Sequence, residues 1–315
     1  MSRRTRPRQP LWQQQLLEYA EGVHRLALPA TREALASAET RLGRPLHPSH
    51  RAWLERHDGA TLFHDAYRIF GCAELVDDRF GEEGESDLAL DAGGRVLRVE
   101  IGAQETLVAG SSLDRWLDAL FAREALAYDR DGEFRDVFED DGLELRPEVM
   151  RKREERAVRC DPESPAARFE LGRLLARDGR LGSAEAELVR ATELDPTFKW
   201  AYFELGRLRR RAGRNVEAIE SFMAAATADP SDGPLFYAWA ARVAEERGDR
   251  ALAARLRARV RLLDAGFAQR HKDVGKKLLE EGDPRAAADM LSLALAVDHH
   301  DGEARELLSK ARASS

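Results

Sequence analysis

Five aspartates, Asp161, Asp195, Asp229, Asp264 and Asp298, recur along the second half of this chain at spacings of 34, 34, 35 and 34 residues. A fixed period of that length constrains the fold more than composition can. Each repeat is then one supersecondary unit that buries its apolar face only by stacking on its neighbours. Three further columns keep the register. Gly179, Gly213, Gly248 and Gly282 stand sixteen positions before the last four Asp, Ala184, Ala218, Ala253 and Ala287 follow each glycine by five, and Gly172, Gly206, Ala241 and Gly275 precede it by seven. The turn glycine permits the positive φ that ends one helix before the next begins. The small residues before and after it let two antiparallel helices approach closely. Asp161-Pro162, Asp195-Pro196 and Asp229-Pro230 close one unit and open the next, where a proline at a helix start needs no donor.

These columns resemble the tetratricopeptide repeat (TPR), a helix–turn–helix unit of 34 residues, over about 165–298. The third repeat departs from the pattern. It has one extra residue, lacks the closing proline, and puts Arg257 where a large apolar side chain is usual. Residues 302–312 read as a polar capping helix. A helix over 147–160, ending Cys160-Asp161-Pro162, reads as a half-repeat sealing the other end.

The first half has other periods. A helix is expected through Leu16, Leu17, Ala20, Val23 and Leu26 up to Pro29. A second runs from Thr31 to Leu42 and stops at Gly43, and a third starts at Pro48-Ser49 and carries Trp53 and Leu54 to Asp58-Gly59. Strand-like runs follow at 61–63, 67–71, 87–91, 95–101 and 105–109; in the fourth, Leu97, Val99 and Ile101 alternate with Arg98 and Glu100. Ser111 or Ser112 caps a helix through Leu113, Trp116, Leu117 and Leu120. The expected fold is an α+β N-terminal domain with a mostly antiparallel sheet, then an all-α TPR-like solenoid. The expected boundaries are a disordered basic tail at 1–10, the α+β domain at 11–142, a linker or half-repeat helix at 143–163, and repeats with a capping helix at 164–315.

Pro29-Ala30-Thr31, Glu39, Leu42-Gly43, Leu46, Leu54, Asp58-Gly59, Phe63 and Val108-Ala109-Gly110-Ser111 before a Trp/Leu helix resemble the SUKH superfamily, the Smi/Knr family of bacterial immunity proteins and fungal cell-wall regulators, over roughly 20–140. The resemblance implies a protein-binding module and no chemistry. Leu46-His47-Pro48 departs from the family's usual Leu-Pro at that turn.

Charge divides along the same line. Residues 1–10 carry +4 from Arg3, Arg4, Arg6 and Arg8, residues 11–150 carry -14, and residues 151–315 carry +3. Charged residues make up 34 % of the chain and mean hydropathy is -0.52, with no apolar run long enough for a membrane span. No apolar segment follows the basic N-terminus, so no signal peptide is expected. Cys72 and Cys160 form no CxxC motif, which excludes a disulfide scaffold and suits a cytoplasmic protein. Arg outnumbers Lys 44 to 6, a bias typical of a GC-rich bacterial genome.

No nucleophile elbow, phosphate loop, HExxH or dinucleotide fingerprint occurs, so neither an enzyme nor a cofactor is expected. His50, His57 and His64 are spaced by sevens, and His47 and His50 by three with Pro48 between them. Solvated or packed histidines are the simpler reading than a metal site, as they are for His299-His300. Asp129-Arg130-Asp131-Gly132-Glu133 places its glycine two positions early for a calcium loop, and Phe138 stands where the final glutamate belongs. The segment 77–91, with Asp77, Asp78, Glu82 and Glu83, reads as a mobile solvated loop or an acidic contact surface for a basic partner.

The TPR resemblance implies a concave groove lined by the first helix of each hairpin. At the groove register stand Arg173, Arg207, Arg242 and Lys276, with Arg177 and Arg211 one turn on and Phe169 and Phe203 one turn back. Trp200 is expected near the edge. Guanidinium forks suit carboxylates and phosphates. An acidic peptide segment and a merely solvated arginine face compete as readings, and the near-neutral second half weighs against nucleic acid. Two functions follow: an immunity-type module neutralising a basic toxin, fused to a TPR scaffold; or a regulatory scaffold assembling protein partners without a toxin.

Overall fold

The structure is a computed structural model that describes residues 10–100, 105–139 and 144–314. The basic tail's Arg3, Arg4, Arg6 and Arg8 lie outside the described residues, as does Ile101. The chain forms two compact units that divide between Leu194 and Asp195.

Among the described residues of the first unit, seven strands form an antiparallel meander in which each pairs with the next: β1 (Arg25–Leu26), β2 (Ala60–Leu62), β3 (Tyr67–Ile69), β4 (Arg79–Glu83), β5 (Ser86–Leu90), β6 (Val96–Glu100) and β7 (Glu105–Gly110). Two expectations fail here. The expected long first helix is only α1 (Leu11–Leu16), because Gly22, at φ 97°, turns the chain and sends Arg25 and Leu26 into the sheet. The segment 77–91, of which 87–91 is the expected strand, is no mobile loop. It is the β4–β5 hairpin, paired on both sides, with Phe80 and Leu88 fully buried while Glu82 and Asp87 oppose each other across the ladder. Gly81 is required there, since a Cβ would stand 2.3 Å from the Arg68 carbonyl of β3.

Helices α2 (Arg32–Leu42), α3 (Pro48–Leu54) and α4 (Leu113–Ala127) share one apolar cluster with the sheet, built on Leu35, Leu54, Leu62, Phe63, Phe80, Trp116 and Phe121. Caps set their starts. The Thr31 hydroxyl accepts from the Ala34 N–H at 3.1 Å, and the Ser112 hydroxyl accepts from the Arg115 N–H at 3.3 Å.

Helices α5 (Pro147–Cys160), α6 (Pro165–Arg177) and α7 (Leu181–Leu194) belong to this unit by packing, although α6 and α7 are the first hairpin of the array. The reason is local. Asp161, the first aspartate of the period, is 1 % exposed, and its carboxylate accepts from the Ser111 N–H at 2.7 Å and the Ser111 hydroxyl at 2.6 Å. The Ser164 hydroxyl donates to the Ala109 carbonyl at 2.8 Å. Arg123 pairs with Glu154 at 2.8 Å, and Arg153 pairs with Glu124 at 2.5 Å, whose carboxylate also accepts from the Tyr67 hydroxyl at 3.0 Å. Charged side chains on α4 are thereby paired with partners on α5, which holds the half-repeat against the α+β core.

The second unit holds α8 (Lys199–Arg211) and α9 (Asn215–Ala228), α10 (Gly233–Glu246) and α11 (Arg250–Leu263), α12 (Phe267–Glu280) and α13 (Pro284–Val297), and α14 (Gly302–Ala313). Gly213, Gly248 and Gly282 take φ of 76°, 85° and 84° at the turns. A Cβ on Gly206 would stand 2.7 Å from the Phe222 ring, and one on Gly275 would stand 2.6 Å from Leu291 Cγ, so helices cross closely where the small column predicts. Arg257, in the place of Phe222 and Leu291, is 7 % exposed. Its guanidinium donates to the Ala296 carbonyl at 2.9 Å and pairs with Glu245 at 2.6 Å, while Arg261 donates to the Val297 carbonyl at 2.7 Å. These are the last carbonyls of α13, so two cations meet the negative end of that helix. The fourth hairpin accordingly packs on the third through α13, which lies against α10 and α11.

Candidate protein-binding surfaces

In the first unit, Phe169 is buried, not displayed on a groove wall. Arg173 lies over its ring at 5.6 Å and pairs with Glu170, one helical turn back, at 3.2 Å. Burial raises the Glu170 carboxyl above its ordinary value, against the pull of Arg173. Arg177 is exposed at the end of α6.

In the second unit, Phe203 is likewise buried and joins an aromatic cluster with Phe222, Phe236 and Trp239, at centroid distances of 5.6, 5.6 and 5.5 Å. Trp200 packs on it edge-on at 5.7 Å. The outer side of this cluster is roofed by arginines. Arg207 lies over Phe203 at 5.9 Å, Arg210 over Trp239 at 5.8 Å, and Arg242 over Trp239 at 5.1 Å. Carboxylates match them: Arg207 pairs with Glu204 at 3.0 Å, Arg210 reaches both Glu246 oxygens at 2.9 and 2.7 Å, and Arg242 reaches Glu246 at 3.2 Å and Asp289 at 3.9 Å. Burial, then the neighbouring Arg210, holds the Arg242 guanidinium below its ordinary value. Arg207 is half-exposed and Arg211 exposed. Lys276 is exposed on α12, which packs on α13 and α14, and α10 has α13 as its neighbour. The structure thus brings Arg207 and Arg242 to one face and leaves Lys276 off it. Arg210 and Trp239 are the members of this face that sequence reasoning missed, whereas Glu246 stands two positions before its turn glycine, at the register of Arg177 and Arg211. Arg210 lies three positions from the groove register, and only stacking shows that it reaches the next repeat.

The acidic quartet does not stand clear of the chain's own arginines. Asp78 is paired with Arg44, and Glu82 lies 3.9 Å from Arg68. Glu83 is half-buried at the end of β4, and Asp77 is exposed with φ at 54°. The histidines do not converge either. His50 is packed edge-on against Phe80, and burial pushes its imidazole down to about 4, as it does for His24. Among the described residues, no three His, Cys, Asp or Glu side chains could hold a metal ion. The Asp129 carboxylate is taken by its own turn, accepting from the Asp131 and Glu133 N–H groups at 2.9 and 3.0 Å. Burial pushes the Cys72 thiol up to about 12.

Among protein families, the tetratricopeptide repeat matches residues 201–232, which take in most of α8 and all of α9. No curated protein matches the chain. Solved structures with some likeness include MamA, 19 % identical over 55 % of this chain and 87 % of that one, with a TM-score of 0.35. YrrB, described as a TPR protein with an unusual peptide-binding site, is 15 % identical over 51 % and 82 %, with a TM-score of 0.35. PilF of Pseudomonas aeruginosa is 15 % identical over 53 % and 79 %, with a TM-score of 0.37. Likenesses this low carry no argument, so the assignment of the second half as TPR-like rests on the period, the close helix crossings and the matched repeat. None of the comparisons supports the SUKH resemblance or an immunity role. No helix among the described residues is long and apolar enough to cross a membrane.

Proposed function

We propose that this protein is a non-enzymatic, cytoplasmic scaffold that assembles protein partners through the arginine-roofed face of α8 and α10, and that this face takes an acidic peptide segment. The observation that carries the reading is that the matched repeat supplies the α8 side of that face: Arg207 and Arg210 stand over aromatic rings, each held by a carboxylate of the same chain. Exposed ion pairs of this kind contribute only about 0–1 kcal/mol each. A peptide carboxylate can therefore displace Glu204 or Glu246 at little cost and gain the same fork. A groove-binding role for Arg173 and Arg177 on α6 belongs to the same proposal, in its own unit. The test is fluorescence anisotropy of a labelled hexaglutamate peptide with the full chain. Salt-sensitive binding, abolished by Arg207→Glu with Arg210→Glu while helicity is kept, supports the reading. Binding that both reversals leave intact overturns it.

A further inference from the structure

At the end of the sheet unit, a cavity of about 500 Å³ opens between the turn after β2 and the segment after α4. Its walls are Phe63, His64, Asp65, Tyr128, Glu133 and Phe134, with the small Ala66 and Gly132 between them. Phe134 is 61 % exposed, stacked on Tyr128 with centroids 4.6 Å apart, and Phe138 meets it edge-on at 5.2 Å. Phe134 is thus a largely exposed aromatic ring in the cavity wall. Among the described residues, the carboxylates that line the cavity are those of Asp65 and Glu133. Asp65 has Arg25 at 3.7 Å, both well exposed, and the Glu133 carboxylate has no partner among the described residues. Among the described residues, no lysine or arginine lines the cavity. The turn that carries Asp65 is held firmly: Phe63, His64 and Asp65 take φ of 51°, 52° and 72°, the His64 N–H donates to the Val23 carbonyl at 3.1 Å, and its ring nitrogen lies 3.1 Å from the Gly132 carbonyl.

We propose that this cavity is a docking site for the basic side chain, an arginine above all, of a partner protein. A guanidinium stacks on the Phe134 ring and forks onto the Asp65 and Glu133 carboxylates, which uses both kinds of wall at once. The charge of -14 over residues 11–150, which carry the cavity, draws a basic partner toward it and repels nucleic acid. The site is separate from the arginine-roofed face of the second unit and selects the opposite charge, so either can fail without the other.

The experiment titrates the full chain with the peptide acetyl-Gly-Gly-Arg-Gly-Gly-amide and follows the Phe134 and Tyr128 ring resonances by NMR. Replacing the arginine by citrulline, its neutral isostere, isolates charge, and replacing it by glutamate tests for an anion site. Saturable shifts of these rings that weaken about three- to fivefold with citrulline, and as much in Glu133→Gln and Phe134→Ala, support the proposal. Glu133→Gln is a surface change and leaves the fold readable even if Phe134→Ala disturbs the turn. Shifts that do not saturate, that citrulline reproduces, that Glu133→Gln leaves unchanged, or that the glutamate peptide matches overturn it.

Discussion

Replacing Gly206 with alanine tests the helix crossing on which the repeat assignment stands. The new methyl carbon would lie 2.7, 2.8 and 3.0 Å from three atoms of the Phe222 ring. A ring can usually turn aside, but Phe222 is fully buried between Phe203 at 5.6 Å and Trp239 at 5.7 Å. Overpacking of that kind costs about 1–3 kcal/mol. Against it stands about 1 kcal/mol gained by placing alanine instead of glycine inside a helix. The net expectation is a loss of about 0–2 kcal/mol. Gly182→Ala is the internal control, because nothing lies within 4 Å of a Cβ there. It should gain up to about 1 kcal/mol from propensity alone. Urea unfolding of both variants, followed by helicity, gives the difference. Phe222→Leu in the Gly206→Ala background should show coupling, since the two side chains contend for one space. If Gly206→Ala gains as much stability as Gly182→Ala, the crossing is not tight and the column of small residues has another cause.

Asp161→Asn should destabilise the first unit by about 2–4 kcal/mol, because a buried acceptor for the Ser111 N–H and hydroxyl is weakened; a thermal midpoint equal to the parent's would refute the lock. Arg257→Met restores the repeat's apolar pattern but strips the Ala296 carbonyl of its donor, so a loss of about 1–2 kcal/mol is expected in urea melts, and a gain would show that the arginine is only tolerated. The His50 imidazole is held down to about 4 by burial, so the folded state keeps it neutral where the unfolded chain takes up a proton. Its contribution to stability is complete above the unfolded value near 6.5 and is lost as pH falls toward 4, by up to about 1.4 kcal/mol per pH unit. His50→Leu should flatten the difference between melts at pH 7 and pH 5.5, and an unchanged slope would exclude His50 as its source.

The repeats were legible because each column answers to one local need. Gly213 needs a positive φ and Gly206 needs room for Phe222, and neither depends on distant partners. β5 was legible as the run at 87–91, but β4 was hidden for the opposite reason. Gly81 and Gly84 interrupt its alternation, and the carboxylates that look like loop solvation are matched by Arg44 and Arg68 from elsewhere in the chain. The first helix failed at Gly22, whose turn lets Val23 reach the core and the next residues join the sheet. The basic column recurs at one register in the sequence, but in the second unit it does not form one continuous surface. Arg257 and Arg261 hold the end of α13, α13 takes the place beside α10, and Lys276 is left off the face. The phenylalanines at the same register, Phe169 and Phe203, are core residues roofed by arginine, which the spacing alone does not distinguish from a displayed ring.

The central claim is that the face of α8 and α10 is where a partner binds. Hydrogen–deuterium exchange of the full chain, with and without saturating hexaglutamate peptide, reads this directly. Added protection is expected in α8 and α10, and it should disappear in the Arg207→Glu, Arg210→Glu variant. Protection confined to other helices, or to the sheet unit, with α8 and α10 exchanging as before, would contradict it.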